Sequence, residues 1–158
     1  MNKIASFKID HTKLMPGIYV SRVDKCFPDY AVTTFDIRFK RPNYDMLQPK
    51  AAHTIEHLGA TYLRNRQNWK DQIIYFGPMG CMTGFYLIVK GQMESRDIVE
   101  LVRDMLIFIV TFEGIVPGTT PEECGNYEYH DLAAAKKEAG EFLKSFEYFT
   151  EQNLVYPE

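Results

Sequence analysis

From Val32 to Lys40 the chain alternates: Phe35, Ile37 and Phe39 fall on one face of an extended segment, and Thr34, Asp36 and Arg38 on the other. Successive side chains of a strand point to opposite faces, so this run predicts a half-buried strand, ended by Arg41-Pro42-Asn43. Gly17–Val23 reads as a second strand and Ser6–Asp10 as a short edge piece. Asp71–Phe76 and Thr83–Lys90, rich in Ile, Tyr, Phe and Val, flank a tight connection through Gly77-Pro78-Met79-Gly80-Cys81. Between these strands the period lengthens. Ile55, Leu58 and Tyr62 recur at helical spacing in a segment from Ala51 to about Asn65. Ile98, Leu101, Val102, Met105, Leu106 and Ile109 form the stripe of a second helix, with Ser95 as its predicted N-cap. A third helix is expected from about Asp131 to Phe149. Clustered strands with intervening helices predict an α+β fold, a mostly antiparallel sheet with helices packed on one face.

With 158 residues, 46% hydrophobic and 14% aromatic, the chain can bury one proper core, and residues 1–158 read as a single domain. A net charge of -3 gives no basic footprint for nucleic acid. No apolar run reaches a membrane span, and the first residues lack the apolar core of a signal peptide, so the expected compartment is the cytoplasm. Three cysteines do not make a disulfide framework and are better considered as thiols or ligands.

The first predicted helix carries His53-Thr54-Ile55-Glu56-His57. Residues four apart sit one turn above each other, so both imidazoles can reach one metal ion with Glu56 beside them. A catalytic metal site takes three protein ligands and an open position, and Asp, Glu, Cys and His are all candidates for the third. Cys124 is the best local candidate, in the polar loop Glu123-Cys124-Gly125-Asn126, with His130 a weaker alternative. A His2Cys set is soft enough for zinc or ferrous iron. Cys81, between Gly80 and Gly84, is either an accessible thiol able to act as acid, base or nucleophile, or a small hydrophobe at a strand start. Glu56 is a natural general base, a partner orienting a histidine, or a solvated helix charge. Arg38 either pairs with a neighbouring acid or binds an anionic group of a substrate. Ser6, His11 and Cys26 carry no motif value by themselves.

Taken together these segments resemble one family. His53–His57 followed by Leu58, then Gly-Pro-Met-Gly-Cys before Thr83-Gly84-Phe85-Tyr86, then Glu123-Cys124-Gly125-Asn126 with His130-Asp131-Leu132, occur in this order in the S-ribosylhomocysteine lyases (LuxS). Phe7, Asp10-His11 and Phe35–Phe39 also look like that family, so the resemblance spans nearly the whole chain. Met82 departs from it, where many members carry a polar or basic residue. The resemblance implies that His53, His57 and Cys124 hold one divalent metal per subunit, ferrous iron natively with zinc or cobalt as substitutes. It implies that Cys81 and Glu56 are the acid/base pair, and that Ser6, His11 and Arg38 bind the substrate. It further implies a homodimer with active sites at the interface. The implied reaction cleaves S-ribosylhomocysteine to homocysteine and 4,5-dihydroxy-2,3-pentanedione, the autoinducer-2 precursor in methyl-cycle metabolism.

The chemistry of the residues agrees. Breaking an unactivated C–S bond in a sugar requires a carbonyl next to the carbon that loses its proton, and the ribose carbonyl must migrate before the thiol leaves. A Lewis acid and two proton carriers suit that task. An inverted-motif metallopeptidase would use the same His-x-x-Glu-His run but has no need of Cys81. A non-catalytic metal module would close the site with four ligands.

Overall fold

The structure is a computed structural model that describes residues 9–27 and 30–157. Expectations for Ser6, for the edge piece that begins there and for the Cys26 side chain lie outside the described residues. Four strands, β1 (Gly17–Phe27), β2 (Tyr30–Arg38), β3 (Ile73–Pro78) and β4 (Gly84–Lys90), form one sheet in the order β1-β2-β4-β3. Every neighbouring pair is antiparallel. Helices α1 (Pro49–Asn65), α2 (Val99–Thr111) and α3 (Leu132–Ser145) complete the expected α+β architecture.

The alternation in β2 sets the core. Phe35 and Ile37 lie opposite Val20 and Ile18 on β1 and opposite Leu87 and Phe85 on β4. That face packs with Ile55 and Leu58 of α1, Val102, Met105 and Leu106 of α2, and Ala135, Ala139 and Phe142 of α3. The opposite face departs from the sequence reading. A half-buried strand leaves its polar face to water, yet Asp36 and Arg38 are 1% and 2% exposed, and Arg38 pairs with the neighbouring acid, one of its two expected roles. Tyr19 from β1 and Tyr156 from the C-terminal segment, stacked on each other, close over that end of the sheet. Arg38 itself is flanked across the sheet by Gly17 and Gly84. A Cβ at position 84 would lie 2.3 Å from the Ile37 carbonyl oxygen, so β2 and β4 approach there as only glycine permits.

Two helix boundaries also move. Ser95 does not cap the second helix. Glu94 is the cap residue of a one-turn 3-10 segment, Ser95–Ile98, in a reciprocal capping box with Asp97. The Ser95 hydroxyl instead donates to the Leu154 carbonyl at 2.8 Å, tying down the C-terminal segment. Helix α3 starts as expected, with Asp131 accepting from the Ala134 amide at 2.9 Å, but gives way to 3-10 geometry at Phe146–Tyr148. One ion cluster joins the end of β2 to α3: Lys40 Nζ lies 2.5 Å from Glu138, 2.9 Å from Glu141 and 3.1 Å from Asp45.

Candidate active site

Helix α1 begins with Pro49 at its first turn and buries Ala51, Ala52, Ile55 and Leu58, which leaves His53 and His57 stacked one turn apart beside the core. The segment between α2 and α3 crosses this helix and brings Cys124 and His130 to it. One ligand atom from each of His53, His57, Cys124 and His130 lies within 4.8 Å of the others, which makes this the metal-capable cluster among the described residues. His130, the weaker alternative in the sequence, thus stands with the other three; its ring stacks on that of His53 at 4.1 Å.

The hydrogen bonds fix the state of each ring. His53 Nδ1 lies 2.9 Å from the Tyr129 carbonyl, and His57 Nδ1 lies 2.8 Å from the Pro117 carbonyl. A carbonyl only accepts, so both Nδ1 atoms carry a proton, and in the neutral imidazole the lone pair lies on Nε2. The Thr54 hydroxyl gives its one proton to the Lys50 carbonyl at 2.8 Å and accepts from the Asp131 amide at 3.0 Å. The His130 Nδ1 at 3.2 Å must therefore donate to it as well. The His130 Nε2 is left buried with no partner. Burial, with His53 and His57 close by, pulls the His130 ring down to about 4, so the lone pair is not lost to a proton near neutrality. Cys124 Sγ sits 3.4 Å from His53 Nε2. Imidazole lone pairs gathered with a thiol form a donor set suited to zinc or ferrous iron, and the orphaned Nε2 of His130 fits a cation in the cluster. Gly118 seals the side: its φ of 74° is left-handed, and a Cβ there would come within 3.0 Å of His57 Nδ1.

Cys81 sits on the connection between β3 and β4. That turn closes through Met82, whose φ of 57° is left-handed, with its amide donating to the Met79 carbonyl at 2.9 Å. The Met82 side chain packs against the core, while Cys81 is left exposed. Cys81 Sγ lies 3.0 Å from Thr83 Oγ1 and 3.9 Å from Arg38 Nη1, and that same Arg38 nitrogen donates to Thr83 Oγ1 at 2.5 Å. Partial burial pushes the thiol up. The bonds from the Thr83 side chain and amide, with the Arg38 guanidinium beside them, outweigh burial and leave it below the ordinary thiol range. Arg38 is gripped in turn by Asp36, which takes its Nε at 3.0 Å on one oxygen and its Nη2 on the other. Cys81 and Thr83 line a cavity of about 470 Å³ together with His11, Asn43, Tyr44 and Asp45. His11 donates through Nδ1 to the Ile9 carbonyl at 2.9 Å, leaving its Nε2 as an acceptor.

The chain therefore assembles two groups. His53, His57, Cys124 and His130 make one; Cys81, Arg38 and His11 meet at the other. None of His53, His57, Cys124 and His130 lines the Cys81 cavity. Glu56, partly buried between the two α1 histidines, has no hydrogen-bond or ion-pair partner among the described residues. Asp36, Thr54, Thr83 and Tyr156 were not singled out in the sequence. Asp36 alone left a signal there, as the acid two residues from Arg38 on the same strand face.

The sequence pattern of the S-ribosylhomocysteinase (LuxS) family matches residues 4–153. Over 159 residues the chain is 52% identical to the S-ribosylhomocysteine lyase of Desulfotalea psychrophila, covering 99% of both chains. It is 54% identical to that of Phocaeicola vulgatus, covering 99% of this chain and 98% of that one. With the same enzyme of Borreliella burgdorferi it shares 52% identity, over 99% of this chain and all of the other.

Proposed function

The chain belongs to the S-ribosylhomocysteine lyase family, and from that premise we propose that it splits S-ribosylhomocysteine into homocysteine and 4,5-dihydroxy-2,3-pentanedione, the autoinducer-2 precursor. It is a lyase whose His/Cys cluster suits a metal. His53, His57 and Cys124 would hold the ion, ferrous iron with zinc or cobalt as substitutes, with His130 beside them. The ion when bound supplies a Lewis acid for the oxygens of the migrating carbonyl. The protein residues move the protons. The Cys81 thiolate takes a proton from the carbon next to the sugar carbonyl and returns it to the neighbouring carbon, which shifts the carbonyl along the chain. Repeating the exchange brings the carbonyl within reach of the thioether. Glu56 or Cys81 then removes the proton that allows β-elimination, and the departing homocysteine sulfur takes a proton back. Each shift also carries the hydroxyl proton to the former carbonyl oxygen; one carbon is reduced as its neighbour is oxidised, so no external oxidant or reductant is needed. Arg38 keeps Cys81 in its thiolate form and, with Ser6 and His11, binds the substrate's polar groups.

The observation that carries this reading is the primed thiol: a cysteine held between a guanidinium and a threonine has a task in carbonyl migration and none in a metallopeptidase, where metal and glutamate activate water. The two groups of residues lie apart in one chain, and this favours a homodimer in which each site is completed across the subunit interface. Two thiols in the active machinery also favour the reducing cytoplasm. Metal-loaded protein should release a free thiol from S-ribosylhomocysteine, read with a thiol reagent. Cys81→Ala and Glu56→Gln should each keep the metal and lose turnover. Absence of thiol release from ferrous- or cobalt-loaded protein would sink the assignment.

A further inference from the structure

Asp36 is a buried carboxylate whose oxygens must all be satisfied, and Arg38 supplies only part of what they need. The remaining donor comes from the other end of the chain. The Tyr156 hydroxyl donates to Asp36 Oδ2 at 2.9 Å. Its ring stacks on Tyr19 with centroids 4.9 Å apart and planes 11° from parallel. Two bonds dock the tail just before it: Asn153 Nδ2 donates to the Pro16 carbonyl at 2.9 Å, and the Leu154 carbonyl accepts from Ser95 at 2.8 Å. A phenylalanine would stack as well. The hydroxyl adds one thing, a bond to the carboxylate that grips the arginine facing Cys81.

We propose that Tyr156 is a positioning residue of the lyase reaction, its hydroxyl fixing Asp36 so that Arg38 stays aimed at Cys81. This rests on the reading of Cys81 as the proton carrier. Without the hydroxyl, Asp36 concentrates its charge on Arg38 and is itself held by one partner fewer, so the guanidinium it grips is fixed less firmly. Both changes weaken the positive field at the thiol. The groups that face that thiol are Arg38 and Asp36 from β2, Thr83 and Tyr86 beyond the turn, and His11, Tyr44 and Asp45 across the cavity. All are unchanged in Tyr156→Phe.

The test is Tyr156→Phe in the metal-loaded enzyme. Alkylation of Cys81 by iodoacetamide is followed against pH in the Cys81 peptide by mass spectrometry, alongside kcat, KM and metal content. The alkylation midpoint should rise by roughly 0.5 to 1 unit. The kcat should fall about three- to tenfold, with KM changed less and metal retained. Val155→Ala, an exposed neighbour on the same tail, should leave the midpoint in place. An unmoved or lowered midpoint in Tyr156→Phe overturns the proposal, as does an equal rise in Val155→Ala, which would assign the effect to tail docking. Full turnover by Cys81→Ala would instead overturn the lyase mechanism itself, whatever Tyr156→Phe does.

Discussion

Replacing Asp36 by Asn separates the two things this carboxylate does. The side chain is 1% exposed and its partner Arg38 is 2% exposed, so neither charge is bathed in water. Asparagine has nearly the same shape and leaves no cavity; the loss is charge, and one acceptor becomes an NH2 donor facing other donors. Unit charges about 3 Å apart attract by roughly 5 kcal/mol at an effective dielectric of about 20. The desolvation of the pair cancels part of that, while the arginine left behind is a buried unpaired cation, so a loss of about 3–5 kcal/mol is expected. For a chain of this size that lowers Tm by roughly 6–20 °C. Urea unfolding followed by the fluorescence of Trp69, the single tryptophan, should show a lower midpoint with an unchanged slope. The Cys81 thiol should move the other way. With no counter-charge beside it, Arg38 acts on the sulfur unopposed, and the alkylation midpoint should fall even as the protein weakens. A stability loss below about 1 kcal/mol, or a rise in that midpoint, would refute the picture of a buried pair tuning the thiol.

Other outcomes follow from the same geometry. In the unsubstituted protein Cys81 should alkylate with a midpoint below the ordinary thiol value of about 8.5, and Arg38→Gln should raise it; equal midpoints would remove the guanidinium from the thiol's control. Thr54→Val frees the His130 Nδ1 and the Asp131 amide together, and chelator competition should show metal affinity reduced about 10- to 100-fold. Cys124→Ala should lose the metal outright, and unchanged metal content would strike it from the ligand set. Lys40→Met strands the buried Glu138 carboxylate and should cost about 2–4 kcal/mol in denaturant unfolding, whereas Lys137→Met, at an exposed pair, should be nearly neutral.

The parts legible in the sequence are those written in local periodicity. The alternation of Phe35, Ile37 and Phe39 and the helical spacing of Ile55 and Leu58 place strand, helix and core correctly, and the His53–His57 spacing puts two imidazoles on one helix face. What could not be read depends on residues far apart in the chain. The face bearing Asp36 and Arg38 looks solvated because its cover, Tyr156, arrives 120 residues after Asp36. His130 looked a lesser ligand candidate because the hydroxyl that fixes its ring belongs to Thr54, 76 residues away. Ser95 has the composition of a cap, yet its hydroxyl is claimed by a carbonyl 59 residues later. In each case local chemistry offers a reasonable partner and tertiary structure supplies a different one.

The bonds that orient His53 and His57 end on main-chain oxygens, of Tyr129 and Pro117, and a main-chain oxygen is indifferent to the side chain that carries it. The segment that embraces α1 can therefore vary in composition along much of its exposed stretch without disturbing either ring. It cannot vary freely in length, because a residue gained or lost between the two carbonyls would slide one of them out of register with its histidine. Descendants of this chain should accordingly accept substitutions at Glu122, Tyr127 and Glu128 far more readily than a single insertion or deletion among them, and a loop transplanted whole should work when its span is kept together with Gly118 and Cys124.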